Sequence, residues 1–149
     1  MLGSTGEPGL LLVHGGGAHS GWWDHIAPFF AATHRVVAAD LSGHGDSDHR
    51  SAYALGLFTE EVATALQCAD PARPTTVVGH SRRGWVAGAV AARLGAAVGG
   101  VVIIDSPTRQ RAPGDSRLRT RKQPPTGYRT REEILARFTS VPRQHVIPP

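Results

Sequence analysis

The stretch TTVVGHSRRGWVA, residues 75 to 87, runs from a short β-branched strand through Gly79 and His80 into Ser81 and directly on into a helical pattern. A serine at such a strand-to-helix turn has a pinched backbone and an Oγ open to a cleft. The helix N-terminus behind it favours negative charge, so Ser81 is the candidate nucleophile. Upstream, LLLVHGGGAHSGWWD (residues 10 to 24) is an apolar strand that breaks into glycines. This is the form of a loop that offers backbone N–H groups to a developing oxyanion. Gly16 or Gly17 would supply one donor and the backbone N–H of Arg82 the other. The two segments together point to acyl transfer or hydrolysis. A serine at this junction could also be a plain helix N-cap, but the glycine loop on a second strand favours the nucleophile.

Other chemistries fit the residues less well. A dinucleotide cradle would need glycine at positions 15, 17 and 20, and position 20 is Ser20; a nucleotide P-loop from Gly16 and Gly21 would need lysine where Trp22 stands. Eight histidines are present, seven of them spread between His14 and His80 without an HExxH pairing. They are read as loop or surface residues, and neither a metal nor an organic cofactor is expected. Asp105, which ends a later apolar run, is the candidate acid of the site, with a turn as its alternative role. Cys68 within FTEEVATALQCA reads as a small buried hydrophobe.

These residues need elements to hold them. Four apolar runs, residues 9 to 14, 35 to 40, 75 to 80 and 98 to 105, alternate with helical spacing at 21 to 32, 53 to 68 and 82 to 94. Strands separated by helices pair in parallel through right-handed crossovers, which predicts an α/β fold with a doubly wound parallel sheet. The first helix would bury Trp22, Ile26, Phe29 and Phe30, and the second Leu55, Phe58, Val62 and Leu66. In the third, Gly84, Gly88 and Ala91 form a small-residue stripe that would let the helix lie close on the sheet. After Asp105 the chain turns polar and rich in Arg and Pro. The organisation expected is therefore a core over residues 1 to 105 and a basic lid-like segment over 106 to 149. Within that segment a short helix over 130 to 138 would be capped by Thr130 and Glu133.

Charge follows the same division. Residues 1 to 105 carry 6 Lys/Arg and 9 Asp/Glu, a net of −3, whereas 106 to 149 carry 10 and 3, a net of +7. The cluster Arg117, Arg119, Arg121 and Lys122 has no interleaved aromatic residues, so a solvated segment is favoured over a nucleic-acid surface. No apolar run is long enough to span a bilayer, the N-terminus lacks a basic signal region, and a lone cysteine permits no internal disulfide. A cytoplasmic protein is expected.

Residues 10 to 107 resemble the α/β hydrolase superfamily, in its esterase and lid-bearing branch. The resemblance is carried by HGGG before WWD, DLSGHGDSD at 40 to 48, GHS at 79 to 81 and VVIIDSP at 101 to 107. It implies that His14 to Gly17 form the oxyanion loop, Ser81 is the nucleophile, Asp40 to Ser47 shape the cleft floor and Ser106 begins a lid. A small-molecule ester, or a related acyl or carbon–carbon bond, would be the substrate.

The departures matter as well. Arginine at position 83 replaces the second small residue of the family's GxSxG turn. A strained turn has little room for bulk, so Arg83 is read as drift rather than as a device that attracts an acidic substrate. His145 is the only histidine beyond the turn and has no strand before it, so weak or absent activity is expected. The antiparallel strands that precede the first strand in the family are also missing, and the chain reads as part of a larger enzyme. The strands at 35 to 40 and 98 to 105 would then be open edges, available for self-association. The competing reading is a non-catalytic binding module on a hydrolase fold.

Overall fold

The computed structural model describes residues 1–3, 7–69, 72–106 and 128–137. The chain divides into two compact units, Met1–Arg109 and Gln110–Pro149. The first unit holds four parallel strands, β1 (Gly9–Val13), β2 (Arg35–Ala39), β3 (Thr75–His80) and β4 (Val98–Ile104), in the order β2-β1-β3-β4. All five residues of β1, GLLLV, are buried. Such an unbroken apolar run is what a parallel strand needs when both its faces are covered.

Alternation along the strands then divides the core in two. Leu11, Val13, Val37 and Val77 meet helices α1 (Leu55–Ala69) and α2 (Arg82–Leu94) through Phe58, Val62, Leu66, Val86, Ala87 and Val90. On the other face, Leu10, Leu12, Val36 and Val78 pack with Ala27, Trp23 and Ala38. The sheet is thus covered on both sides, as the alternation of strands and helices predicts.

Three local expectations fail. The stretch 21 to 32 is not an α-helix but two short 3-10 turns, Ser20–Trp23 and Ala27–Phe29, closed by bonds such as Asp24 N–H to Gly21 O at 3.2 Å and Phe30 N–H to Ala27 O at 3.1 Å. Pro28 lacks the N–H that a continuous helix would need, and Gly21 gives little helical preference. Phe29 is accordingly left 79% exposed, and Trp22, Phe30 and, at the start of α1, Leu55 are exposed as well. In α2 the stripe does not lie on the sheet as a unit: Gly84 does, but a side chain at Gly88 would meet nothing within 4 Å, and Val86, Ala87 and Val90 form the buried face.

The third failure is Cys68, which is exposed. It lies two positions after buried Leu66, about 200° around α1, and so faces away from the sheet. Ellman's reagent should therefore titrate one thiol in the native chain as fast as in the denatured one. A thiol that reacts only after denaturation would contradict the exposed position.

Strands β2 and β4 are the two edges, as expected. The β2 edge is met by one antiparallel bridge, in which Leu2 and Val36 exchange backbone bonds of 2.9 and 2.8 Å. On β4, Val102, Ile103 and Ile104 remain 40–46% exposed. In the second unit, α3 (Arg131–Arg137) starts as the spacing predicts. Thr130 Oγ1 accepts the Glu133 N–H at 3.3 Å, while the Glu133 carboxylate accepts the Arg129 N–H at 2.9 Å. Residue 138, the cluster Arg117 to Lys122 and His145 lie outside the described residues.

Candidate functional site

Ser81 joins β3 to α2 with φ +54° and ψ −129°, a backbone conformation that a residue with a Cβ adopts only under constraint. The constraint is visible on both sides. The Ser81 N–H donates to Ile104 O at 2.8 Å and so continues the ladder to β4, while its carbonyl accepts from Gly84 N–H at 2.9 Å and from the Ser106 hydroxyl. The side chain is half-buried and makes no capping hydrogen bond although it occupies the N-cap position. Its hydroxyl is therefore not spent on the helix.

Two glycines make the turn possible. A Cβ at Gly79 would run into the backbone carbonyl of Arg83 and lie 2.9 Å from the Gly84 Cα. A Cβ at Gly84 would meet the Ser106 hydroxyl and lie 2.7 Å from Ile103 Cγ2. The start of α2 thus approaches β3 and β4 more closely than any side chain permits.

The glycine loop lies against this turn. A Cβ at Gly15 would come 2.6 Å from His80 Nδ1 and 3.4 Å from Ser81 Cβ, so a larger residue there would have to displace the His80 ring. Gly16 and Gly17 continue it in the open, Gly17 with φ +74°. The loop is fixed from below by His14, whose Nδ1 lies 2.8 Å from Gly15 O and whose Nε2 accepts the Leu41 N–H at 3.1 Å. The second bond leaves the proton on Nδ1, which donates to Gly15 O, so the imidazole is neutral. Burial holds its pKa below the ordinary value against the Gly15 hydrogen bond, and His44 and Arg83 add to the lowering. His14 is only 1% exposed and is a structural pin, not the loop or surface residue that its position suggests.

Asp40 organises the neighbouring loop. Its carboxylate accepts the Ser20 N–H at 2.6 Å and the Asp46 N–H at 3.1 Å. Burial opposes its ionisation, but these donors outweigh burial and hold the pKa below the usual carboxylate range. Burial likewise opposes ionisation of Glu61, and there the Ser42 N–H at 3.0 Å and Arg50 at 2.9 Å prevail. The loop from Asp40 to Arg50 lines a polar hollow of about 460 Å³. A smaller, mostly apolar hollow of about 210 Å³ lies beside the turn, lined by His14, Gly15, Ala18, Trp22, Trp23, His80 and Ile104.

The structure brings together Ser81, the Gly15 loop and the end of β4. Asp105 follows Ile104 directly with φ +52° and is exposed. Arg82 is exposed, and its first-turn N–H has no intrahelical acceptor. Arg83 does not crowd the turn as its bulk suggests. Its side chain leaves sideways and lies buried on Phe58, with Cζ 3.8 Å from the ring centroid. Sequence reasoning also misses Trp22, Trp23 and His80 as lining residues, because strand and loop positions give no sign of a shared wall. Among the described residues no group of His, Cys, Asp and Glu is arranged to hold a metal ion, and no helix is long and apolar enough to cross a membrane.

Comparison with known proteins identifies the family. The Alpha/beta hydrolase family matches residues 10–148. The pimeloyl-acyl-carrier-protein methyl ester esterase of Sodalis glossinidius (strain morsitans) is 36% identical over 111 residues, which are 74% of this chain and 41% of that protein. The thioesterase domain from the curacin biosynthetic pathway superposes with a TM-score of 0.68 at 29% identity, over 75% of this chain and 43% of that one. A thermophilic esterase from Thermogutta terrifontis gives 0.66 at 26% identity, over 74% and 41%. The chain spans less than half the length of each of these relatives. With a parallel sheet, a strained serine turn and a family match over most of its length, the chain belongs to the alpha/beta hydrolase family.

Proposed function

We propose that this chain carries the nucleophile half of a serine hydrolase that cleaves an ester, or a similar acyl or carbon–carbon bond, in a small molecule. In this reading Ser81 attacks the carbonyl carbon, and the backbone N–H of Arg82 with that of Gly16 or Gly17 receives the oxyanion. The apolar hollow beside Trp22 and Trp23 holds the acyl group. Asp105 is the acid candidate that would orient a base. No organic cofactor or metal takes part, and the compartment is the cytoplasm. The observation that carries the reading is the conformation of Ser81: a positive φ, a hydroxyl unused by the helix, and a glycine loop beside it, where a Cβ at Gly15 would lie 3.4 Å from Ser81 Cβ. Esterase and thioesterase relatives support the same reaction class.

No described histidine hydrogen-bonds Ser81 or Asp105, and His14 is committed to Gly15 and Leu41. Without a positioned base the hydroxyl stays a weak nucleophile, so turnover should be roughly a hundredfold or more below that of a site with one. Measured above the rate that the same imidazole gives without protein, hydrolysis of p-nitrophenyl butyrate should accordingly be slow, rise on addition of free imidazole, and vanish in Ser81→Ala. A protein-dependent acceleration by imidazole that persists in Ser81→Ala would refute the assignment.

The second reading, a binding module that self-associates, is favoured by one observation, the exposed apolar edge of β4. Light scattering separates the two: a discrete dimer supports pairing through that edge, and a monomer removes it.

A further inference from the structure

The hollow of about 210 Å³ beside the Ser81 turn is walled by four rings, those of His14, Trp22, Trp23 and His80, with Gly15 and Ile104 among the rest of its lining. No acid, lysine or arginine lines it, and the His14 ring is neutral because it is held between Gly15 O and the Leu41 N–H. An ionised group entering the hollow would lose its water without gaining a charged partner. The N-terminus of α2 beside the turn carries positive potential, which disfavours a cation over these rings. The lining therefore suits a neutral group.

Its position is set by the same contacts that hold the serine. His80 precedes Ser81, Ile104 O accepts the Ser81 N–H at 2.8 Å, and a Cβ at Gly15 would lie 3.4 Å from Ser81 Cβ. Another wall comes from the 3-10 turn Ser20–Trp23, whose Ser20 N–H is tied to the Asp40 carboxylate. On that turn Trp23 packs with Leu10, Leu12 and Val78 on the sheet, while Trp22 is 50% exposed. Half of a large apolar ring is thus left in water beside a hollow that it lines. At about 210 Å³ the space is below the roughly 300 Å³ of a site that encloses a whole small molecule, so it takes one end of a substrate.

We infer that this hollow selects a short aromatic acyl group, such as phenylacetyl, and that Trp22 and Trp23 are the residues that select it. A phenyl ring placed among four rings gains edge and offset contacts that a saturated group of the same size lacks, and it covers the exposed part of Trp22. The ring belongs to the acyl part of the ester. The alcohol leaves first and needs a path to solvent, whereas the acyl group stays bonded to the serine. The inference rests on the reading of Ser81 as nucleophile and names the substrate class of that site.

The test is an NMR titration of the full chain that follows the indole N–H signals of its three tryptophans, Trp22, Trp23 and Trp85, as methyl phenylacetate, methyl cyclohexylacetate or benzyl acetate is added. Methyl phenylacetate should shift Trp22 and Trp23 and leave Trp85 unmoved. It should bind roughly threefold to tenfold more tightly than methyl cyclohexylacetate, whose ring is of similar size but saturated. Benzyl acetate is an isomer whose carbonyl lies one bond further from the ring, and it should bind more weakly. Trp22→Leu keeps an apolar wall without the ring and should lose the aromatic preference, whereas Trp22→Phe should keep most of it. Equal affinity for the phenyl and cyclohexyl esters in the parent chain, or an unchanged preference in Trp22→Leu, would overturn the inference. Equal binding of benzyl acetate would overturn the acyl assignment. Capture of Ser81 by a fluorophosphonate on a chain with no aromatic preference removes the aromatic pocket alone. An aromatic preference without capture at Ser81 leaves the pocket standing and removes the nucleophile reading instead.

Discussion

Valine in place of Gly79 is expected to cost the fold about 3 kcal/mol or more and to abolish any reactivity at Ser81. The added Cβ would press on the Arg83 carbonyl and the Gly84 Cα. These are backbone atoms of the first turn of α2, which cannot swing aside as a flexible side chain would. The helix itself is held to the sheet by Val86, Ala87 and Val90, all 0% exposed. Either α2 lifts from the core or the turn opens and Ser81 loses its place beside Gly15. A urea melt reads the first loss and covalent labelling the second. A Gly79→Val chain that melts like the parent would show that the close approach is not required.

Leucine at position 14 should have the next largest effect. It leaves the Leu41 N–H without its acceptor and Gly15 O without its donor, both in a buried setting, at a cost of about 3 kcal/mol. The parent chain should also show a dependence on pH that the variant lacks. His14 has a folded pKa below its unfolded value, chiefly because of burial. Above about pH 6.5 both states carry a neutral imidazole and stability is full. As the pH falls below that value, the unfolded chain takes up a proton that the folded chain refuses. Stability then declines by up to about 1.4 kcal/mol per pH unit until the folded pKa is reached. Asp40 and Glu61 act in a separate, more acidic window, since their lowered values give stability that is lost only below the ordinary carboxylate range. Urea midpoints from pH 8 to 5 should therefore fall more steeply in the parent than in His14→Leu.

How much of this was legible in the residues depends on the kind of signal. The strands were plain because a buried parallel strand is rich in apolar and β-branched residues, as in GLLLV of β1 and TTVV of β3. Helix α2 was plain because apolar spacing and the Ser81 turn agreed. The stretch after Gly17 misled because Trp22, Ile26, Phe29 and Phe30 carry a helical period, while Pro28 denies it the hydrogen bond. Of the candidate site, the strand-to-helix turn at Ser81 and the glycine loop were legible, the first from the strand and helix patterns that meet there and the second from Gly15 and Gly17, where a Cβ would meet His80 or φ is positive. His14 and Arg83 were not. A histidine between a strand and a glycine loop gives no sign that its ring reaches a backbone N–H 27 residues on. An arginine in a tight turn gives none that its side chain will leave by the side and find an aromatic face.

Intact chain incubated with a fluorophosphonate in the presence of free imidazole, then digested and mapped by tandem mass spectrometry, tests the central claim most directly. The account predicts a single adduct, on Ser81, that disappears in Ser81→Ala. An adduct on Ser42 or Ser106 in its place, or no adduct on a chain that is demonstrably folded, would contradict it.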